Sequence, residues 1–267
     1  MPVPKSKGVD ITTRIEVLSK RKDISPFEVR SLQREIDNVT SVDPAEGYML
    51  GGMLAALIGK REESRALHEK SIKLEYDVVG LFNYGVSMKK VGELTLAKSI
   101  FTKAQALAPG DRDVFAHHVQ TMNFSLDYVN FHREVSAMEK ARPEWDIREA
   151  SDVVLAFDVI EQLRALSISV EEYSGYGRHV ESALLKYELS SAYVSEQFSH
   201  FDGVPHMFTE FYVDSNSAAT LVEVNEHLID LVLGDEELTN WEKVVLSVVR
   251  QEQEPAGREG LFESSAA

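Results

Sequence analysis

Cysteine is absent from the 267-residue chain. That excludes disulfides, thiolate metal sites and cysteine nucleophiles, although it does not by itself fix the compartment. No apolar run approaches the roughly 18 residues that a membrane-spanning helix needs. The opening Met-Pro-Val-Pro-Lys-Ser-Lys carries no apolar stretch of the secretory kind. The expectation is a cytoplasmic protein with no membrane contact. Serine-nucleophile motifs, glycine-rich phosphate loops and zinc-protease helices are also missing, so a non-enzymatic protein without a cofactor is expected.

Basic charge is scarce in one part of the chain. Residues 151–267 hold 6 of the 28 Lys and Arg but 22 of the 44 Asp and Glu, a balance of −16 that equals the net charge of the whole protein. The first 150 residues carry 22 of each sign. A field of this sign keeps a protein soluble, repels nucleic acid and anionic lipid, and favours a basic partner. Hydrophobic residues make up 43% and charged ones 27%, which is enough apolar side chain to bury a core. The length suits two domains of roughly 100–200 residues each.

Helical signals dominate the first part. Ile11, Ile15 and Leu18 share one face of a short helix, and Lys20-Arg21-Lys22 follows as a connector. Ser25-Pro26-Phe27-Glu28 opens a second helix to about Asn38, with Ser25 as cap, Pro26 in the first turn and Glu28 completing a capping box.

From about residue 45 the pattern repeats. Between Val78 and Pro109, Leu81, Tyr84, Gly85 and Met88 lie on a first helix, Gly92 makes the turn, and Ala97, Phe101 and Ala104 lie on a second. A more degenerate copy follows, with Phe115, Val119 and Met122, then Val135 and Met138, closed by Pro143; His118 faces its core. An upstream copy has Tyr48, Gly51, Gly52 and Ala55, a turn at Gly59, then Ser64, His68 and Ser71. Over residues 45–145 this resembles the tetratricopeptide repeat family, whose spacing is about 34 residues. Met88 departs from it, standing where the family usually has an aromatic. Small residues such as Gly85 and Ala97 let paired antiparallel helices approach. The resemblance implies a helical repeat domain over 1–166, with the helices at 25–38 and 150–166 capping the array.

In that family the first helices line a concave groove. The matching face here holds Glu46, Met49, Met53, Val79, Phe82, Val86, Lys89, Lys90, Asp113, Ala116, His117 and Gln120. Met, Phe and Val suit an amphipathic helix or an apolar peptide. The Lys and Asn set with which some relatives hold a peptide carboxylate is not reproduced, because Phe82 and Val86 occupy key places. Alternatively, the chain's own N-terminal or flanking helices fill the groove.

Beyond residue 167 the character changes to a small acidic α+β domain, 167–251, in the order α-β-β-α-β. Ser169 caps a helix to about Tyr187; runs Ala192–Ser199 and His206–Val213 flank a turn at Phe201-Asp202-Gly203-Val204; a helix spans Ala218–Leu233; and Lys243–Arg250 is a third strand. Helices on one face of a three-stranded sheet are expected. Residues 252–267 have the composition of a disordered tail.

His200 and His206, with Asp202 and Glu196, invite a metal site, and strand register tests it. A register with Phe198 opposite Met207 and Val194 opposite Phe211 gathers the apolar residues on one face and puts the two histidines on opposite faces, so no metal is expected. The same register pairs Tyr193 with Tyr212 and Gln197 with Phe208 on the outer face. That face either meets a partner or packs against the repeat array.

Two functions follow as expectations. The first is a protein–protein adaptor that holds a peptide or helix in the groove. The second is an immunity- or antitoxin-type inhibitor whose acidic domain covers a basic effector such as a nuclease. The oligomeric state is left open.

Overall fold

The computed structural model describes residues 7–21, 23–201, 203–214 and 217–251. Lys22 of the basic connector, Asp202 of the hairpin turn and the tail at 252–267 lie outside them. The described residues form a helical array followed by a small α+β part with a three-stranded mixed sheet. The chain divides into two compact units between Thr121 and Met122.

In the first unit, helices α1 (Lys7–Ser19) and α2 (Pro26–Val42) precede α3 (Pro44–Leu57), α4 (Arg61–Leu74), α5 (Val78–Lys90) and α6 (Leu94–Leu107). The division falls inside α7 (Arg112–Ser125). Adjacent helices pack in pairs, α3 with α4 and α5 with α6, and α3 also packs on α5.

The repeat is visible in the caps. Asp43, Asp77 and Asp111 stand 34 residues apart, and each begins a helix on the next residue. Their carboxylates accept the N–H of Glu46 (3.0 Å), Gly80 (2.7 Å) and Val114 (3.0 Å), groups that have no partner within the helix. The turns within the pairs use Gly59 and Gly92, at φ +74° and +83°, where a Cβ would be strained. The capping box at Ser25 is formed: Ser25 N–H donates to Glu28 at 3.0 Å, and Ser25 Oγ accepts from Phe27 N–H at 3.2 Å.

The close approach within each pair is a glycine against a ring. A Cβ on Gly85 would lie 2.7 Å from the Phe101 ring, and one on Gly52 would lie 2.5 Å from the His68 ring. Phe101 fills the space that Gly85 leaves. Ser64, His68 and Ser71 stand 33 residues before Ala97, Phe101 and Ala104 and are equally buried. Each polar replacement makes one hydrogen bond: Ser64 Oγ donates to Gly52 O and Ser71 Oγ to Ala45 O, both at 2.8 Å, and His68 Nε2 meets Ser87 Oγ at 2.8 Å, while His68 Nδ1 is buried without a partner.

The second unit contains α8 (Phe131–Ala141), α9 (Ser151–Leu166), α10 (Val170–Lys186), β1 (Ser191–Phe201), β2 (Val204–Val213), α11 (Ala218–Leu233) and β3 (Val244–Arg250). It starts well before residue 167 because α9 packs on β2 and Tyr128 reaches β1. The helix expected at 150–166 as a cap of the array therefore belongs to the unit that contains the sheet.

The sheet order is β1-β2-β3, with β1 antiparallel and β3 parallel to β2. A parallel neighbour needs a long crossover, which the segment containing α11 provides. The hairpin adopts the register with Phe198 opposite Met207 and Val194 opposite Phe211. Phe201 pairs with Val204, so the connection is shorter than the expected four residues, with Gly203 at φ +80°. Met207, Phe211, Val213, Val244 and Val248 bury the inner face. Asn225 of α11 receives the N–H of Val248 and donates to its carbonyl, both at 2.8 Å, and so occupies the β3 edge as a neighbouring strand would.

Candidate functional site

The candidate groove face is built from α3, α5 and the first part of α7. The α3 portion is partly closed. Met53 is 9% exposed and buried with Ile11, Ile15 and Leu18 of α1, so it does not line an open trough. A Cβ on Gly8 of α1 would lie 1.8 Å from Glu46 Oε1, which places that carboxylate against α1. Ala116 is buried as well. The chain's own first helix thus takes up one end of the expected groove.

Along α5 the face is available. Val79 is 57% exposed, Phe82 and Val86 are half-buried, and Lys90 is exposed, as is Asp113 at the start of α7. Met49 is half-buried, with its sulfur 3.5 Å from Asn83 Nδ2. Phe82 is anchored: its ring meets the buried Phe101 at 6.2 Å and His117 edge-on at 5.1 Å between centroids. Lys89 Nζ donates to Gln120 Oε1 and to His117 Nδ1, the latter at 3.2 Å. Burial, and secondarily Lys89, hold the His117 pKa down at about 3, so its ring is neutral. The accepting role of Nδ1 then puts its proton on Nε2. Lys89, His117 and Gln120 therefore act as one bonded group. His118, one residue on, is 1% exposed and bonds Gln105 at 2.6 Å.

The N-terminal ends of α3 and α5 add a feature absent from the expected site. A cavity of about 250 Å³ is lined by Asp43, Glu46, Glu75 and Asp77 together with Met49 and Val79. Burial, reinforced by Asp43, raises the Glu46 pKa. The face is apolar in the middle, acidic at the start of α5 and basic at its end.

In the second unit, Tyr193, Gln197, Phe208 and Tyr212 lie on the outer face of the sheet, with Tyr193 opposite Tyr212 and Gln197 opposite Phe208. The two tyrosine rings stack at 4.1 Å and 9°. His200 and His206 fall on opposite faces. Among the described residues no three His, Asp or Glu side chains are placed to share a metal ion.

On the inner face Glu196, expected only as a neighbour of the histidines, instead joins a buried group with two tyrosines. Glu196 accepts from Tyr173 OH at 2.8 Å and from Tyr128 OH at 3.0 Å, and the Thr209 hydroxyl completes the chain at 2.8 Å from the Tyr173 oxygen. Burial raises its pKa to about 7, against the lowering effect of the two phenols. The signal was present in the alternation: Glu196 lies between Val194 and Phe198 on the face expected to be apolar, opposite Thr209. This carboxyl takes up or releases a proton near neutral pH.

Compared with models of protein families, with curated proteins and with solved structures, the chain matches none. The class defined by its own geometry is a helical array of packed pairs joined to a small α+β unit.

Proposed function

We propose that this protein is a non-enzymatic docking module whose array, of the tetratricopeptide kind, holds an apolar or amphipathic peptide or helix against α5 and α7. The observation that carries this is the α5 face: Val79 is 57% exposed beside the anchored, half-buried Phe82 and Val86. Fixed apolar side chains on a rigid helix are the usual anchors for an amphipathic segment. The 34-residue cap spacing supports the family reading. To test it, a photo-crosslinker replaces Val79 in the full chain, the captured polypeptide is identified, and its affinity is measured with purified components. Phe82→Asp with Val86→Asp should weaken binding roughly 30-fold or more while helical circular dichroism is retained. Unchanged affinity removes the α5 face from the account.

A second reading is favoured by the charge distribution. All the excess negative charge lies in residues 151–267, and such a field accelerates association with a cationic partner. On this reading the second unit covers a basic effector, as an immunity or antitoxin protein does.

A further inference from the structure

The outward positions of β1, β2 and β3 hold one carboxylate, Glu210, and no Lys or Arg. The outward side chains of Tyr193, Ser195, Gln197, Phe208, Glu210, Tyr212, Val245, Ser247 and Val249 are half-buried or exposed, with Val245 at 41%. The unit that carries this face is acidic: residues 122–251 carry 24 Asp and Glu against 9 Lys and Arg. At its centre Tyr193 and Tyr212 stack, and Tyr212 OH donates to Glu210 Oε2 at 2.7 Å, which orients both groups. Phe208 and Gln197 pair on the same face. Tyrosines among small polar residues give large contact area at little entropic cost. A phenol face next to a carboxylate suits guanidinium better than ammonium, because guanidinium is planar, weakly hydrated and able to stack while it donates sideways.

We propose that the outer face of this sheet docks an arginine-bearing segment of a basic protein, with a guanidinium stacked on the Tyr193–Tyr212 pair and hydrogen-bonded to Glu210. The proposal rests on the second reading above, that the acidic unit meets a cationic partner.

The test titrates the full chain with nona-arginine and nona-lysine peptides at low and high salt. The expected result is about tenfold tighter binding of the arginine peptide, with the difference surviving at high salt. Tyr193→Ala with Tyr212→Ala should erase that preference. Glu236→Gln with Glu237→Gln, on exposed residues after α11, should weaken both peptides alike. Persistence of the arginine preference in the tyrosine variant overturns the assignment to this face and leaves the basic-partner reading standing. If neither peptide binds at low salt, that reading and the proposal fall together. Tyrosine-ring NMR of the unaltered protein gives a check that needs no variant. Addition of nona-arginine must shift the Tyr193 and Tyr212 ring signals, and unmoved signals overturn the proposal.

Discussion

Replacing Glu196 by Gln should change how the second unit responds to pH. In the folded state burial raises this carboxyl from its ordinary 4.5 to about 7. A folded-state value above the unfolded one means that the native unit holds the proton more tightly. The resulting stabilisation is complete below about pH 4.5 and is lost as pH rises through 7. A difference of this size corresponds to about 3 kcal/mol between pH 4.5 and pH 8. Glutamine cannot ionise but keeps an acceptor for Tyr173 or Tyr128. Its stability curve should therefore lack this decline, and the variant should match or exceed the parent at pH 8. Both tryptophans, Trp145 and Trp241, follow the division at Thr121, so indole fluorescence follows the second unit alone. With a urea dependence of about 1–3 kcal/mol per molar, the gap between the two unfolding midpoints should move by at least about 1 M across this range. Midpoints that run parallel from pH 4.5 to 8 would refute a carboxyl whose burial outweighs its two phenol hydrogen bonds.

The first unit should respond to pH in the opposite sense. His68 is fully buried, and burial lowers its pKa to about 3, so its stabilisation is present above about 6.5 and lost as pH falls. His68→Phe, the residue type found 33 positions on at Phe101, should flatten the fall in melting temperature below pH 6.5; an equally steep fall counts against it. Gly85→Ala forces a Cβ to 2.7 Å from the Phe101 ring and should cost about 1–3 kcal/mol, and a variant that melts no lower contradicts this packing. Asn225→Leu removes both bonds to Val248 and should cost about 1–3 kcal/mol while exposing the β3 edge. Light scattering should then show self-association, and a monodisperse, equally stable variant would show that Asn225 does not protect the edge.

Much of the local structure was legible. The caps Ser25 and Ser169 and the glycines at 59 and 92 mark helix ends by chemistry that involves only near neighbours. The hairpin register followed from the alternation of Val194 and Phe198 against Met207 and Phe211, because a slip by one residue would turn that apolar set to the wrong face. The candidate site was harder. Val79, Phe82 and Val86 could be placed on one helical face, but the α1 cover of Met53 could not be read from spacing. Glu75 and Asp77 carry no local pattern that links them to Glu46, and only the packing of the helix ends brings the three to one cavity.

Sequence by itself therefore determined where helices begin, which residues share a face and where the negative charge accumulates. All three are properties of consecutive residues, and periodicity and capping express them directly. Tertiary structure alone decided that Tyr128 and Tyr173 enclose Glu196, that Asn225 closes the β3 edge and that the second unit begins before residue 167. Those outcomes depend on which faces meet across tens of residues, where burial and hydrogen bonding act between groups that no local pattern connects.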